Sequence, residues 1–335
     1  MMSQGLENAA GNKMQQILEK LTANRFLGVL VGALITAVIQ SSSATTVMVV
    51  GFVNAGMMTL NQAVWIIMGA NIGTTITGQL IALDAGAVAP IIAFIGVILI
   101  IFSKKEKIGY VGSILAGLGI LFIGMDMMGG SMEPLAQSQS FISLLTKFSN
   151  PILGILAGTI FTAIIQSSSA SVGFLQALAG SGIVTLDSAA FILFGQNIGT
   201  CITAFLAALG ANRNAKRTTI IHITFNVIGT IIFTILCITT PLIPVLQGMT
   251  ESAPKQIANL HTMFNVTTTL ILLPFGTALT KLAQHILPDP KTGEPVQGQI
   301  GHLQTKNSDV LGMASITLEE TKRKLEDMLF LAEQN

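Results

Sequence analysis

The sequence has little charge and few aromatic side chains for a chain of 335 residues. Charged residues make up 10% of it and aromatic residues 6%, with a single Trp and a single Tyr. Soluble domains carry about 25% charged residues, so a chain that faces water over its whole surface is excluded. A net charge of +1 and so few stacking rings also exclude a nucleic-acid partner. Apolar residues are abundant instead, at 51% with a mean hydropathy of +0.70, which indicates a protein in the lipid bilayer.

Cysteine is almost absent, and patterns for metals or catalysis are missing. Cys201 and Cys237 both lie inside apolar stretches, which favours buried thiols over a disulfide or a metal site. The serines come in runs and no Gly-x-Ser-x-Gly elbow surrounds them, which disfavours an intramembrane protease. We therefore expect no enzyme activity and no resident cofactor.

Long stretches without Lys, Arg, Asp or Glu predict an all-α, polytopic membrane protein, since about 20 apolar residues cross a bilayer. Two pairs of these stretches are abnormal. Stretches 26–53 and 152–179 carry a polar cluster at mid-span. Stretches 60–83 and 186–209 contain Gly-x-Asn-Ile-Gly-Thr, whose glycines we expect to unwind the helix. The abnormal segments are predicted to be interrupted helices or re-entrant hairpins.

The abnormal stretches are two copies of one pattern. Gln-Ser-Ser-Ser-Ala at 40–44 recurs at 166–170, and Gly-x-Asn-Ile-Gly-Thr at 69–74 recurs at 195–200. Both recurrences have an offset of 126 residues, and residues 28–77 match residues 154–203 at 23 of 50 positions without a gap. The chain therefore contains an internal duplication.

The basic residues predict the orientation of the two copies. Cytoplasmic loops are enriched in Lys and Arg, and such residues cluster at 104–107, 213–217 and 322–324. With these clusters in the cytoplasm, the single span at 88–102 places the loop near Asp84 outside, whereas its equivalent at 210–217 lies inside. We therefore expect inverted-topology repeats with a binding site at the bilayer midplane, and a cytoplasmic C-terminal tail.

The predicted domain organisation follows these copies. Residues 1–109 form the first membrane repeat, and residues 110–287 form the second repeat with the spans after it. The second copy is preceded by a span at 110–125 that has no counterpart before the first copy, so we expect the first repeat to lack its first span. Residues 288–310, rich in Pro, Gly and Gln, predict a linker, and residues 311–335 predict a cytoplasmic helix.

The chemistry of the two motifs indicates ions at the midplane. Polar groups in hydrocarbon are costly unless they line a site, and neither motif contains a charged residue. Hydroxyls and helix N-termini can hold an anion, whereas neutral amide, hydroxyl and carbonyl oxygens suit Na⁺. Each bound ion lowers the cost of burying the other. Cation-driven symport of an anion is therefore the leading hypothesis.

The duplicated Gln-Ser-Ser-Ser and Asn-Ile-Gly-Thr motifs resemble the type II sodium/phosphate cotransporter family. The resemblance covers most of residues 28–203 and the spans that follow. It implies symport of inorganic phosphate with Na⁺ as the coupling ion, across the plasma membrane and by alternating access. It also implies a homodimer, and a C-terminal helix that begins a PhoU-type domain.

The same resemblance implies the site residues. Sodium ligands would fall on Gln166, Ser167, Thr200 and Thr203, and phosphate contacts on the serine hydroxyls of both copies. The wider candidate sets add the corresponding oxygen-bearing residues. For phosphate they are Ser41, Ser42, Ser43, Thr45, Ser167, Ser168 and Ser169. For sodium they are Gln40, Asn71, Thr74, Thr77, Gln166, Ser167, Gln196, Asn197, Thr200 and Thr203.

Other interpretations of the sequence stay open. The substrate could be another oxyanion, or the coupling ion H⁺. From a different class, the chain could be a phosphate-binding membrane sensor that signals through its C-terminal tail. A repeated His-x-x-Phe-Asn-Val at 222–227 and 261–266 could relay protons. Because its His and Asn lie four residues apart on one helix face, structural bonding to neighbouring helices is favoured.

Overall fold

The computed structural model describes residues 24–83, 86–103, 105–139 and 147–289, and no strand occurs in these ranges. The all-α prediction is confirmed. The α-helices of the described ranges are α1 (Arg25–Ile39), α2 (Ser42–Asn54), α3 (Leu60–Ile81), α4 (Ala89–Phe102), α5 (Glu106–Ala136), α6 (Pro151–Ile165), α7 (Ser168–Gly180), α8 (Leu186–Gly199), α9 (Cys201–Ala208), α10 (Arg213–Thr239), α11 (Leu242–Met249), α12 (Ala253–Leu272) and α13 (Gly276–Ile286). Short 3₁₀ turns lie at Gly86–Val88, Lys147–Ser149 and Leu273–Phe275.

Several predicted features lie outside the described residues. Of the predicted linker at 288–310, only Pro288 and Asp289 are described, and the predicted cytoplasmic helix at 311–335 is not. The same holds for Lys104 and for the basic cluster at 322–324. The predicted boundary between the repeats, at 109 and 110, falls in the first turn of α5.

Five helical segments of the described chain are long and apolar enough to cross a membrane. They are Leu60–Ile81, Glu106–Ser131, Leu186–Ala208, Arg213–Thr239 and Ala253–Ile286. Large apolar side chains point outward on several helices, among them Phe94 at 66% exposure, Phe102 at 77% and Ile164 at 75%. Surfaces of this kind suit lipid rather than water. The prediction of a polytopic membrane protein is confirmed.

Both Gln-Ser-Ser-Ser motifs break their helices. Gln40 and Gln166, directly after α1 and α6, adopt the left-handed conformation with φ of 58° and 59°. Ser41 and Ser167 are extended, and each accepts a hydrogen bond from the backbone N–H three residues later. A left-handed conformation is rare for residues other than Gly. The same uncommon turn therefore ends a helix in both copies, as the polar clusters predicted.

The arms on either side of each break are too short to cross a bilayer alone. α1 and α6 have 15 residues and α2 and α7 have 13, which correspond to about 22 Å and about 20 Å of helix. The hydrocarbon core of a bilayer is about 30 Å thick. A break between two such arms therefore falls within the apolar layer.

The second motif does not interrupt its helix, so the prediction that its glycines unwind the chain was wrong. α3 runs unbroken through the motif, and Thr200, between α8 and α9, has helical angles with φ −56° and ψ −28°. The glycines serve close packing instead. A Cβ at Gly69 would lie 2.0 Å from the carbonyl oxygen of Val29, and one at Gly195 would lie 2.0 Å from that of Ile155. Glycine lets the backbones of α1 and α3, and of α6 and α8, approach closely in the membrane.

The second glycine of each motif brings the two motifs of one copy together. A Cβ at Gly73 would lie 2.7 Å from Cβ of Thr36, and one at Gly199 would lie 2.8 Å from Cβ of Thr162. Thr36 and Thr162 lie one turn before the breaks at Gln40 and Gln166. Each serine motif therefore lies beside the Asn-Ile-Gly-Thr segment of its own copy.

Later helices pack against both copies and hold the chain end. Rings of Phe194, Phe233 and Phe264, from α8, α10 and α12, lie with centroids 5.0 to 5.9 Å apart. At the start of α10, the buried Arg217 donates to the carbonyl of Leu287 at 2.9 Å and pairs with Asp289 at 2.8 Å. The basic segment at 213–217 and the end of the described chain thus lie on the same side of the molecule.

Candidate functional site

The two serine motifs meet at one point. Ser42 Oγ and Ser168 Oγ are hydrogen-bonded at 3.3 Å, and the two residues are only 6% and 9% exposed. These serines hold the same position in the two copies, 126 residues apart. Each copy therefore contributes an equivalent hydroxyl to a contact between the copies.

The same contact brings two helix N-termini together. Ser42 is the first residue of α2 and Ser168 the first residue of α7, and neither helix has an acidic residue in its first turn. A helix N-terminus carries unpaired backbone N–H groups and a partial positive charge. Two N-termini and two hydroxyls at one place favour an anion. These N-termini belong to the serine motifs and not to the Asn-Ile-Gly-Thr motifs, where half-helices were expected.

In the first copy, the Gln and Thr candidates are bonded to one another. Gln40 Oε1 accepts from Thr77 Oγ1 at 2.8 Å, and Gln40 Nε2 donates to the carbonyl of Ala37 at 2.5 Å. Across the break, Thr36 donates to Thr45 Oγ1 at 3.0 Å. Candidates from both motifs of the first copy therefore lie in contact, and Thr45 supports the break from within.

The second copy arranges the corresponding residues differently. Thr203, the counterpart of Thr77, donates to Ser43 Oγ of the first copy at 3.2 Å. Gln166 is exposed, while Ser167 and Ser169 are half-buried. The site is therefore asymmetric, and a threonine of the second copy completes the surroundings of a first-copy serine.

The remaining candidates lie inside continuous helices. Thr74 and Thr200 each donate to the carbonyl four residues earlier at 2.9 Å, and Asn71 and Asn197 do the same at 2.8 and 3.0 Å. The alternative that the two asparagines end half-helices in the left-handed conformation is excluded by this geometry. A side chain that donates to its own helix keeps oxygen lone pairs for a ligand.

His261 connects α12 to the second Asn-Ile-Gly-Thr motif. Its Nε2 lies 3.2 Å from Oδ1 of Asn197, and both residues are buried. Asn265 donates to the carbonyl of His261 at 3.0 Å, as the four-residue spacing predicts. This contact with a neighbouring helix agrees with the structural role that the pattern favoured. The spacing alone gave no signal for the partner.

Three positions beside the site were missed by the sequence candidates. Thr36 and Thr162 are fully buried at the breaks, and so is Ser171, the counterpart of Thr45. A signal was present, because a threonine recurs at 36 and 162 with the same offset as the motifs. A threonine retained in both copies of an apolar helix indicates a polar neighbour.

The site is neutral in the part of the chain that the structure describes. None of the hydrogen bonds given above for the two motifs involves a charged side chain. The buried cation Arg217 pairs with Asp289 instead. Among the described residues, no group of three or more His, Cys, Asp or Glu residues could hold a metal ion. Partial charges of hydroxyls, amides and helix ends are therefore what an ion would meet here.

Known proteins are similar to this chain over most of its length. A Bacillus subtilis (strain 168) protein named "Uncharacterized protein YqeW" is 31% identical over 289 residues, which cover 86% of this chain and 93% of that protein. A Salmonella typhimurium protein named "Putative inorganic phosphate export protein YjbB" is 27% identical over 94% of this chain, which spans 56% of that protein. The human "Sodium-dependent phosphate transport protein 2B" is 46% identical over 63 residues, 19% of this chain and 9% of that protein. No solved structure matches the chain.

A family model also matches the chain. The model described as Na+/Pi-cotransporter matches residues 1–130 and again residues 124–250. Each match contains one Gln-Ser-Ser-Ser motif and one Asn-Ile-Gly-Thr motif. Because the two matches together cover most of the sequence, the chain belongs to the Na+/Pi-cotransporter family.

Proposed function

We propose that this protein transports inorganic phosphate across the plasma membrane by Na⁺-coupled symport. The observation that carries the proposal is the contact between Ser42 and Ser168, where two hydroxyls and two helix N-termini of different copies meet within the apolar layer. Membership of the family supports phosphate as the anion and Na⁺ as the coupling ion. The names of relatives support phosphate as the substrate.

Phosphate binds, in this proposal, to the first turns of α2 and α7. Ser42, Ser43, Ser168 and Ser169 supply hydroxyl donors, and the helix N-termini supply backbone N–H groups. The capping serines contribute too, because their oxygens accept from backbone N–H groups while their protons stay free to donate. Hydrogen bonds to an ionised acceptor are about twice as strong as neutral ones, and they offset part of the cost of taking phosphate out of water.

Sodium binds, in this proposal, to neutral oxygens of the two motifs. In the first copy Gln40 and Thr77 are already bonded to each other. In the second copy Gln166 is exposed and Thr203 turns to the first copy. We therefore assign Na⁺ chiefly to the second copy, with Gln166, Ser167, Thr200 and Thr203 as ligands. Its positive charge and that of the helix ends together offset the phosphate charge.

Alternating access would arise from movement of one copy against the other. Within each copy the helices are locked by backbone contacts at glycines, whereas the serine motifs of the two copies meet through single hydroxyl bonds. An inverted arrangement of the copies would let such a movement open the site to either side in turn. The proposal includes a homodimer and a cytoplasmic C-terminal tail, as the family resemblance implies.

Radiolabelled phosphate uptake into proteoliposomes tests the proposal. With an inward Na⁺ gradient the vesicles are expected to accumulate phosphate above the external concentration, and with an equal K⁺ gradient they are not. Accumulation driven only by a proton gradient would replace Na⁺ as the coupling ion, and competition by another oxyanion would change the substrate. Binding without accumulation would instead indicate a sensor.

The direction of transport needs its own measurement, because a relative that matches 94% of this chain is named for phosphate export. Vesicles loaded with labelled phosphate are diluted into medium with either an outward or an inward Na⁺ gradient. Symport predicts that release is faster with the outward gradient. Release that is indifferent to Na⁺ would favour uncoupled export.

Two substitutions test the sodium assignment in the second copy. Ser167→Ala and Thr200→Val are expected to weaken Na⁺ activation of uptake more than they lower the thermal unfolding temperature, since each removes one hydroxyl with little change in packing. The measurement is phosphate uptake as a function of Na⁺ concentration. Ser131→Ala is the control, because Ser131 is exposed and bonds only within its own helix. Unchanged Na⁺ dependence in both variants would remove this assignment.

A further inference from the structure

Three buried side-chain oxygens of the second copy have no hydrogen-bond partner among the described residues. They are Thr162 Oγ1, Ser171 Oγ and Gln196 Oε1, on residues that are 0%, 0% and 2% exposed. A buried polar atom without a partner costs free energy, and native structures contain few of them. A bound species that contacts these oxygens would remove that cost.

The contacts around the three residues place them in one location. Gln196 Nε2 donates to the backbone carbonyl of Ser171 at 2.9 Å. Gly199 lies one turn after Gln196 on α8, and a Cβ at Gly199 would lie 2.8 Å from Cβ of Thr162. The carbonyl of Thr162 accepts from the backbone N–H of Gln166 at the break. The three oxygens therefore lie behind the second serine motif, between α6, α7 and α8.

The first copy provides an internal comparison for this location. The positions equivalent to Thr162, Ser171 and Gln196 are Thr36, Thr45 and Ala70. Thr36 donates to Thr45 Oγ1 at 3.0 Å, and Ala70 offers no oxygen. The same local fold is thus closed by a direct bond in the first copy and left with three unpaired oxygens in the second. The unpaired oxygens are a property of the second copy and not of the turn itself.

We propose that Thr162, Ser171 and Gln196 form an additional buried Na⁺ site in the second copy. All three groups are neutral, hard oxygens, which suit a small monovalent cation, and a site without a carboxylate is a poor one for Ca²⁺ or Mg²⁺. Thr200 donates to the carbonyl of Gln196 at 2.9 Å, so this site is joined to the sodium ligands already assigned. The proposal rests on the proposed Na⁺-coupled function and adds one ion to it.

Equilibrium binding of ²²Na⁺ to the full chain in lipid nanodiscs, without phosphate, tests the proposal. Thr162→Val preserves shape and removes one oxygen, and it is expected to weaken binding of one Na⁺ per chain about tenfold, the factor that corresponds to 1.4 kcal/mol. The double variant Gln196→Ala with Ser171→Thr copies the first copy, and it is expected to bind one Na⁺ fewer. Thr268→Val is the matched control, because Thr268 is also 0% exposed and its hydroxyl is also unpartnered, on α12.

The outcomes separate this site from the proposed function. Unchanged Na⁺ binding in Thr162→Val and in the double variant would overturn the site, and a trapped water would then account for the oxygens. Na⁺-driven uptake by the unmodified chain would still stand in that case. If the unmodified chain bound no Na⁺ at all, the coupling itself would fail. If the double variant did not fold, Thr162→Val against Thr268→Val would decide the question.

Discussion

Replacing both Ser42 and Ser168 by alanine is expected to reduce phosphate uptake to background while the chain still folds. Each hydroxyl sits at the first residue of a helix, and the two share one 3.3 Å bond. A hydrogen bond to a charged group contributes about 1.5 to 3 kcal/mol. Loss of two such bonds to phosphate therefore raises the half-saturating phosphate concentration about a hundredfold or more. Uptake measured over a wide range of phosphate concentrations gives this value directly.

The single variants and a control make that experiment specific. Ser42→Ala and Ser168→Ala are each expected to give an intermediate rise, because the two copies contribute equivalent groups to one site. Ser131→Ala, which removes an exposed hydroxyl on α5, is expected to leave uptake unchanged. A double variant with the half-saturating phosphate concentration of the unmodified chain would show that phosphate binds elsewhere.

Gly195→Ala is expected to prevent stable folding. Its Cβ would lie 2.0 Å from the carbonyl oxygen of Ile155 and 2.9 Å from Cα of the same residue, so the obstacle is backbone rather than a movable side chain. Overpacking costs about 1 to 3 kcal/mol where neighbours can adjust and more where they cannot. We expect a loss of about 3 kcal/mol or more, seen as a large fall in the thermal unfolding temperature in detergent.

Gly124→Ala is the matched control for this substitution. Gly124 also lies within a helix, α5, but no atom lies within 4 Å of a Cβ built there. Alanine in a helix interior is favoured over glycine by about 0.5 to 1 kcal/mol, so this variant is expected to fold as well as the unmodified chain or slightly better. Equal stability of Gly195→Ala and Gly124→Ala would contradict the packing role of the motif glycines.

The breaks at the serine motifs were predictable, but their backbone conformation was not. A run of four polar residues inside an apolar helix, present twice, indicates an interruption because hydrocarbon does not solvate such groups. The left-handed turn falls on Gln40 and Gln166, residues that seldom adopt it. Sequence patterns assign that conformation to Gly or Asn, so the location of the turn required coordinates.

The glycines of the second motif show why one residue type can mislead. Both unwinding and close helix packing require a position without a Cβ, so Gly69 and Gly195 fit either role in sequence. What decides between the roles is the backbone of another helix, at Val29 and Ile155. Those contacts are tertiary, and the periodicity of α3 and α8 does not record them.

The duplication predicted that the serine motifs pair, but not how the two halves differ. Equivalent positions 126 residues apart correctly suggested one shared location, and Ser42 does contact Ser168. The bond from Thr203 to Ser43, and the role of His261 beside Asn197, depend on how the copies and α12 are placed. A repeat gives matching residues in each half, whereas contacts between halves come only from their assembly.

Cysteine cross-linking between the serine motifs tests the central claim most directly. In the variant with Ser42→Cys and Ser168→Cys, a mild oxidant is applied with and without phosphate, and the two single-cysteine variants serve as controls. Two side chains whose oxygens lie 3.3 Å apart are expected to form a disulfide across the copies, and bound phosphate is expected to slow it. Absence of the disulfide, with both thiols still open to a maleimide, would contradict a site shared by the two halves.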